Sequence, residues 1–154
     1  MADLGLSFDN PLFKQFAFYS GVVIVKTMSM SVLTALNRIR NNAFANPEDY
    51  AIAKAMDKDF KPTSPNPTVE RIRRCHLNDL ENVITFVLIG LLYVSSGPDP
   101  ATAVTYFRVF TGCRLLHTIA YVGQLPQPSR ALLFFGGLAV SMLMAVDVLR
   151  KASY

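Results

Sequence analysis

The stretch VITFVLIGLLYVSSGPDPATAVTYF (residues 83–107) joins an apolar run, 83–94, to a second apolar segment through a turn carrying Gly97, Pro98 and Pro100. As a helix the run rises only about 18 Å, short of the ~30 Å hydrocarbon core of a bilayer. The more polar residues before it, from 68 onward, must therefore lie partly at membrane depth or project from it as one continuous helix. The turn is so short that the following helix has to return antiparallel and in contact with the first. Working outward, the same reading yields four spans at about 12–36, 68–95, 101–122 and 129–149, each near the ~20 residues a crossing helix needs. Residues 123–128 make the second tight turn. The expectation is an all-α membrane protein, an up-down bundle of four transmembrane helices forming a single domain over 1–154.

Composition agrees with that reading. Of 154 residues, 51% are hydrophobic and only 17% charged, which excludes a disordered chain, a coiled coil, collagen and a disulfide scaffold. Mean hydropathy is +0.30. The two cysteines, Cys75 and Cys113, lie inside apolar segments and read as free thiols. Asp3 and Asp9 precede the first apolar segment and no small-residue cleavage site follows it, so it reads as a retained signal anchor.

The net charge of +4 would suggest nucleic acid on a soluble fold. Here the positive charge gathers between two apolar segments, at Arg38, Arg40, Lys54, Lys58, Lys61, Arg71, Arg73 and Arg74 against Glu48, Asp49, Asp57, Asp59 and Glu70. Such an excess marks a cytoplasmic loop, so the segment 41–66 is expected in the cytosol and both termini on the far side. Nucleic acid is not an expected partner. With no Trp, the interfacial aromatics fall to residues such as Phe8, Tyr19, Tyr93, Tyr106 and Tyr154.

Charges at membrane depth need a partner, a wet cavity or a function. Arg71, Arg74, Asn78 and Glu81 are spaced as one stripe along the second span, and Arg114, His117 and Tyr121 as a stripe along the third. Arg108 faces elsewhere, and Arg130 opens the fourth span after Pro126 and Pro128. Guanidinium groups bind carboxylates in a fork, while a carboxylate and an amide bind an ammonium. The implied ligand is small, zwitterionic and rich in carboxylates, as glutathione is. Two other readings stay open: the charges pair among themselves, Arg74 with Glu81 for example, or they hold anionic lipid headgroups. Two histidines, His76 and His117, on different helices are too few for a metal site, and no Ser-His-Asp order, phosphate loop or dinucleotide fingerprint is present.

The strings FANPED (44–49), VERIRRCHLNDLEN (69–82), GLLYVSSGPDP (90–100), FRVFTGCRLLHTIAY (107–121) and LPQPSRALLFF (125–135) resemble the microsomal glutathione transferases. These are the type 1 branch of the membrane-associated proteins in eicosanoid and glutathione metabolism, the MAPEG family. The resemblance implies a homotrimer of four-helix subunits in the endoplasmic reticulum and outer mitochondrial membranes, with glutathione as co-substrate and no metal. It implies glutathione contacts at Arg38, Arg73, Arg74, His76, Asn78, Glu81, Arg114, His117 and Tyr121, with Arg38 supplied by the neighbouring subunit. Arg130 matches the catalytic arginine beside the thiol sulfur, where a cation favours the thiolate. That thiolate would attack hydrophobic electrophiles or reduce lipid hydroperoxides. An eicosanoid synthase using the same site, or a non-catalytic lipid-binding scaffold, are the alternatives. Three positions depart from the pattern: Tyr50 stands where the vertebrate branch has an activating cysteine, Cys75 where the family has alanine, and Ala131 where the prostaglandin E synthase branch has serine.

Overall fold

Asn-Pro and Asp-Pro pairs start most of the helices. In the computed structural model, which describes residues 5–56, 60–63 and 65–153, α1 (Pro11–Arg40), α3 (Pro67–Ser95) and α4 (Pro100–Val122) each open on a proline behind an Asn or Asp cap. Proline suits the first helical position because its missing N–H had no partner there, and the Asn or Asp oxygen takes up one of the donors left free. Asn10 Oδ1 accepts from the Leu12 amide at 2.9 Å, and Asn66 Oδ1 from Thr68 at 3.0 Å and Val69 at 3.3 Å. Asp99 Oδ2 accepts from the Thr102 amide at 2.8 Å and from its hydroxyl at 2.7 Å. Two further helices are α2 (Pro47–Met56) and α5 (Ser129–Ala152). Asp3, Asp57, Lys58, Asp59 and Tyr154, used in the sequence reading, lie outside the described residues.

The four long helices pack side by side: α1 against α3 and α4, α5 against α3 and α4, and α3 across to α4. Phe16, near the start of α1, meets Phe86 near the end of α3. Lys151, at the end of α5, reaches the carbonyls of Ser96 and Gly97 in the α3–α4 turn at 3.4 and 3.5 Å. The long helices therefore alternate in direction along the chain, so that α1 runs antiparallel to α3 but parallel to α4. One end of the molecule collects the C-termini of α1 and α4 with the N-termini of α3 and α5, and with them most of the arginines.

The core has two apolar clusters. The larger joins Phe16, Phe86, Phe107 and Phe110, with the Phe86 and Phe110 rings stacked at 3.8 Å, and the smaller joins Met30, Ile72 and Cys75 nearer the arginine-rich end. Between them lies a buried polar layer holding Asp79, Arg114 and His117. Gly90 lets α1 and α3 close up, since a Cβ there would run into the Phe16 ring.

The outside is apolar. Val25, Met28, Leu132 and Phe135 are each more than 60% exposed, a surface suited to lipid rather than water. Several hydroxyls within the helices are satisfied locally: Thr27 and Thr34 donate to the carbonyls of Val23 and Met30, at 2.9 and 2.8 Å. Three helices, α1, α3 and α5, are long and apolar enough to cross a bilayer. The expected third span, α4, is not among these, consistent with its Arg108, Arg114 and His117. The polar segment 41–66 contains a helix that the sequence reading did not place, α2, beside a small cluster in which Phe60 packs on Phe44 and Tyr50 at 5.9 and 6.0 Å. Tyr50 is thus an aromatic packing residue of this segment.

Candidate functional site

The expected site residues fall into three neighbouring groups. The first is the buried layer. Asp79 on α3 is fully buried, and one of its oxygens takes both Lys26 of α1, in an ion pair, and Arg114 Nη2 of α4 at 2.8 Å. Arg114 Nη2 also donates to Asn78 Oδ1 at 2.8 Å and lies 3.4 Å from His117 Nδ1. Arg114 is entirely buried and His117 is 3% exposed.

The second group lines a recess of about 450 Å³ between α1 and α3, where Arg38 stands beside Arg73, Arg74 and His76 of the same chain, with Thr34 and Glu70. Arg73 Nη1 donates to both oxygens of Glu70 at 2.8 and 2.9 Å. The third group lines a smaller recess of about 250 Å³ shared by Arg71, Arg74, Tyr121, Gln124, Leu125 and Arg130. The Arg130 guanidinium sits 5.2 Å from the centre of the Tyr121 ring, within cation–π range, and Tyr121 packs in turn on His117 at 5.5 Å. Arg130 Nε is buried without a hydrogen-bond partner among the described residues. Arg74 lines both recesses and so stands between them.

Glu81 is exposed and lines neither recess. The pair Arg74–Glu81, one way the charges were read to satisfy each other, is not an ion pair among the described residues. Seven residues of helix separate their Cα atoms by about 10 Å. Arg114 pairs with Asp79 instead. Asp79 and Lys26 are the two polar residues whose importance spacing did not reveal. The available signal was Lys26 itself, an ammonium inside an apolar span, which requires a buried partner.

Chemically, the smaller recess offers three guanidinium groups with no carboxylate among its lining residues, which suits an anion. Among the described residues no group of three His, Cys, Asp or Glu is placed to hold a metal ion.

The family model described as MAPEG family matches residues 16–150. The chain belongs to the MAPEG family. It is 47% identical to Microsomal glutathione S-transferase 1 of Homo sapiens over 154 residues, covering 100% of this chain and 99% of the relative. The protein of the same name from Mus musculus is 48% identical over the same coverage. Prostaglandin E synthase of Macaca fascicularis is 32% identical over 96% of this chain and 95% of its own. Membership and the three apolar helices make this a multi-pass membrane protein.

Proposed function

We propose that this protein is a membrane-bound glutathione S-transferase that joins the glutathione thiolate to hydrophobic electrophiles. The observation that carries the reading is Arg130, held over Tyr121 in an arginine-walled recess, on a chain alike end to end with Microsomal glutathione S-transferase 1 of several mammals. A guanidinium beside the sulfur stabilises the thiolate, and a shift of two units in thiol pKa corresponds to ~2.7 kcal/mol. The thiolate then forms a C–S bond as the leaving group departs with its electron pair. With a lipid hydroperoxide it attacks the peroxide oxygen, releasing the alcohol, and a second glutathione completes the disulfide and water.

In this reading Arg38, Arg73, Arg74, His76, Asn78, Glu81, Arg114, His117 and Tyr121 hold the tripeptide. All four long helices cross the membrane, with 1–154 as a single domain. Arg73, Arg74 and Glu81 face outward, which leaves the ligand uncovered on the side where a neighbouring subunit of a homotrimer, bringing its own Arg38, closes the site. The membranes are those of the endoplasmic reticulum and the mitochondrial exterior, with the arginine-rich end toward the cytosol.

The test is conjugation of a generic aryl halide with glutathione in detergent, beside a lipid hydroperoxide assay. Activity in both is expected. Glutathione binding with neither activity would favour a lipid-binding scaffold. Turnover of a prostaglandin endoperoxide without aryl halide conjugation would favour an eicosanoid synthase, a reading that Ala131 disfavours.

A further inference from the structure

The buried layer contains two cations and one carboxylate. Lys26 and Arg114 share a single oxygen of Asp79, so the cluster keeps one positive charge in a place where water cannot offset it. Arg114 Nε and Nη1 are buried with no hydrogen-bond partner among the described residues. Buried donors left this way need an explanation beyond packing. A simple structural pair, Asp79 with Arg114, would be balanced without Lys26.

The hydrogen bonds around Arg114 also have a direction. A guanidinium only donates, so the Asn78 atom facing it at 2.8 Å is Oδ1, and the Asn78 amide NH₂ is turned away from it. Both hydrogens of Arg114 Nη2 are taken by Asn78 Oδ1 and Asp79 Oδ1, and the His117 ring lies beside that nitrogen with Nδ1 at 3.4 Å. Arg114 thereby presents one neutral donor, Asn78 Nδ2, while staying fully buried itself. The His117 ring packs on Tyr121, and Tyr121 carries Arg130.

We infer that Asp79 and Lys26 are positioning residues for the glutathione site: Asp79 fixes Arg114, Arg114 orients Asn78 and packs beside His117, and Lys26 keeps the cluster positive enough to attract a ligand carboxylate. This inference rests on the proposed transferase function and names residues that function did not include. Neither side chain touches the ligand.

The test compares full-length wild type, Lys26→Met, Asp79→Asn and Asp79→Glu in detergent. Three measurements are made: glutathione affinity by calorimetry, KM and kcat with an aryl halide, and thermal unfolding. Lys26→Met leaves the neutral pair Asp79–Arg114, so it should melt no lower than wild type. Its glutathione Kd and KM should nevertheless rise roughly tenfold, the equivalent of one hydrogen bond to a charged group, with kcat changed less than threefold. Asp79→Asn should raise Kd further, and Asp79→Glu should restore part of it. A purely structural layer would shift melting and leave Kd alone. Wild-type glutathione affinity in Lys26→Met overturns the inference, whether or not Asp79→Asn folds. Wild-type protein that neither binds nor conjugates glutathione overturns the transferase reading itself, and that arm is read first.

Discussion

Arg130 is one residue past the start of α5, on a chain bend made by Pro126 and Pro128, and its guanidinium is steered onto the Tyr121 ring rather than into a carboxylate. An arginine kept free of acidic partners retains its full charge for a ligand anion. Several other cations line the adjoining recess, so Arg130→Leu should leave glutathione affinity within a few-fold while the bound thiol becomes less acidic. Loss of ~3 to 4 kcal/mol of anion stabilisation slows conjugation at neutral pH by roughly a hundredfold to a thousandfold. Because alkali supplies thiolate from solution, the variant should regain rate with pH more steeply than wild type. Ultraviolet titration of bound thiolate with the pH profile of both proteins checks this. Unchanged thiolate absorbance and rate would move the activating role to His117 and Tyr121. At this scale the chain sequence disclosed the types and the stripes, Arg74 with Asn78 and Arg114 with His117 and Tyr121. It did not disclose that Arg114 pairs with Asp79, because that pairing joins positions 35 residues apart on different helices.

Helix starts carry the clearest local code, an Asn or Asp followed by proline, at residues 10–11, 66–67 and 99–100. Replacing Asn66 by Ala removes the oxygen that serves two amides of α3, and should destabilise the folded protein by about 1 kcal/mol, read as a lowered unfolding midpoint in detergent. Asp99 caps α4 through Thr102, whose hydroxyl and then amide bonds hold the Asp99 carboxyl below the usual carboxylate range. The sign follows: a group with a depressed folded pKa stabilises above its unfolded value, and that contribution disappears as pH falls through the folded one. Acid below the ordinary carboxylate range should therefore speed hydrogen exchange of the first α4 amides before the helix interior responds, and Asp99→Asn should make the exchange of those amides insensitive to that pH step. Gly90 is a different kind of determinant. The Phe16 ring beneath it is wedged between Phe86 and Phe107, so it cannot swing aside for a methyl group. Overpacking of about 1–3 kcal/mol exceeds the helix-propensity gain of at most about 1 kcal/mol. Gly90→Ala should lower stability, and adding Phe16→Leu should recover much of it in the same unfolding assay.

For the whole molecule, orientation follows from where the basic residues collect. In sealed microsomes with the cytosolic face outward, a protease should cut within 41–66 and spare both termini, as judged by the masses of the protected fragments. Cleavage confined to the termini would invert the arrangement. Hydropathy, proline placement and the excess of Lys and Arg before residue 75 sufficed to indicate helices, their approximate limits, the short antiparallel turns and the family strings, because each is a local property of adjacent residues. The helix α2 escaped that reading although Asn46–Pro47 carries the same signal as the other starts, since four prolines between 47 and 67 argued only against a single long helix. What required the tertiary structure was the assignment of each charge. Spacing places residues on a face of one helix, but burial and partnership depend on which neighbour lies opposite. Only the packing of α1, α3 and α4 brought Lys26, Asp79 and Arg114 onto one carboxylate oxygen and left Arg71, Arg74 and Arg130 facing an open recess.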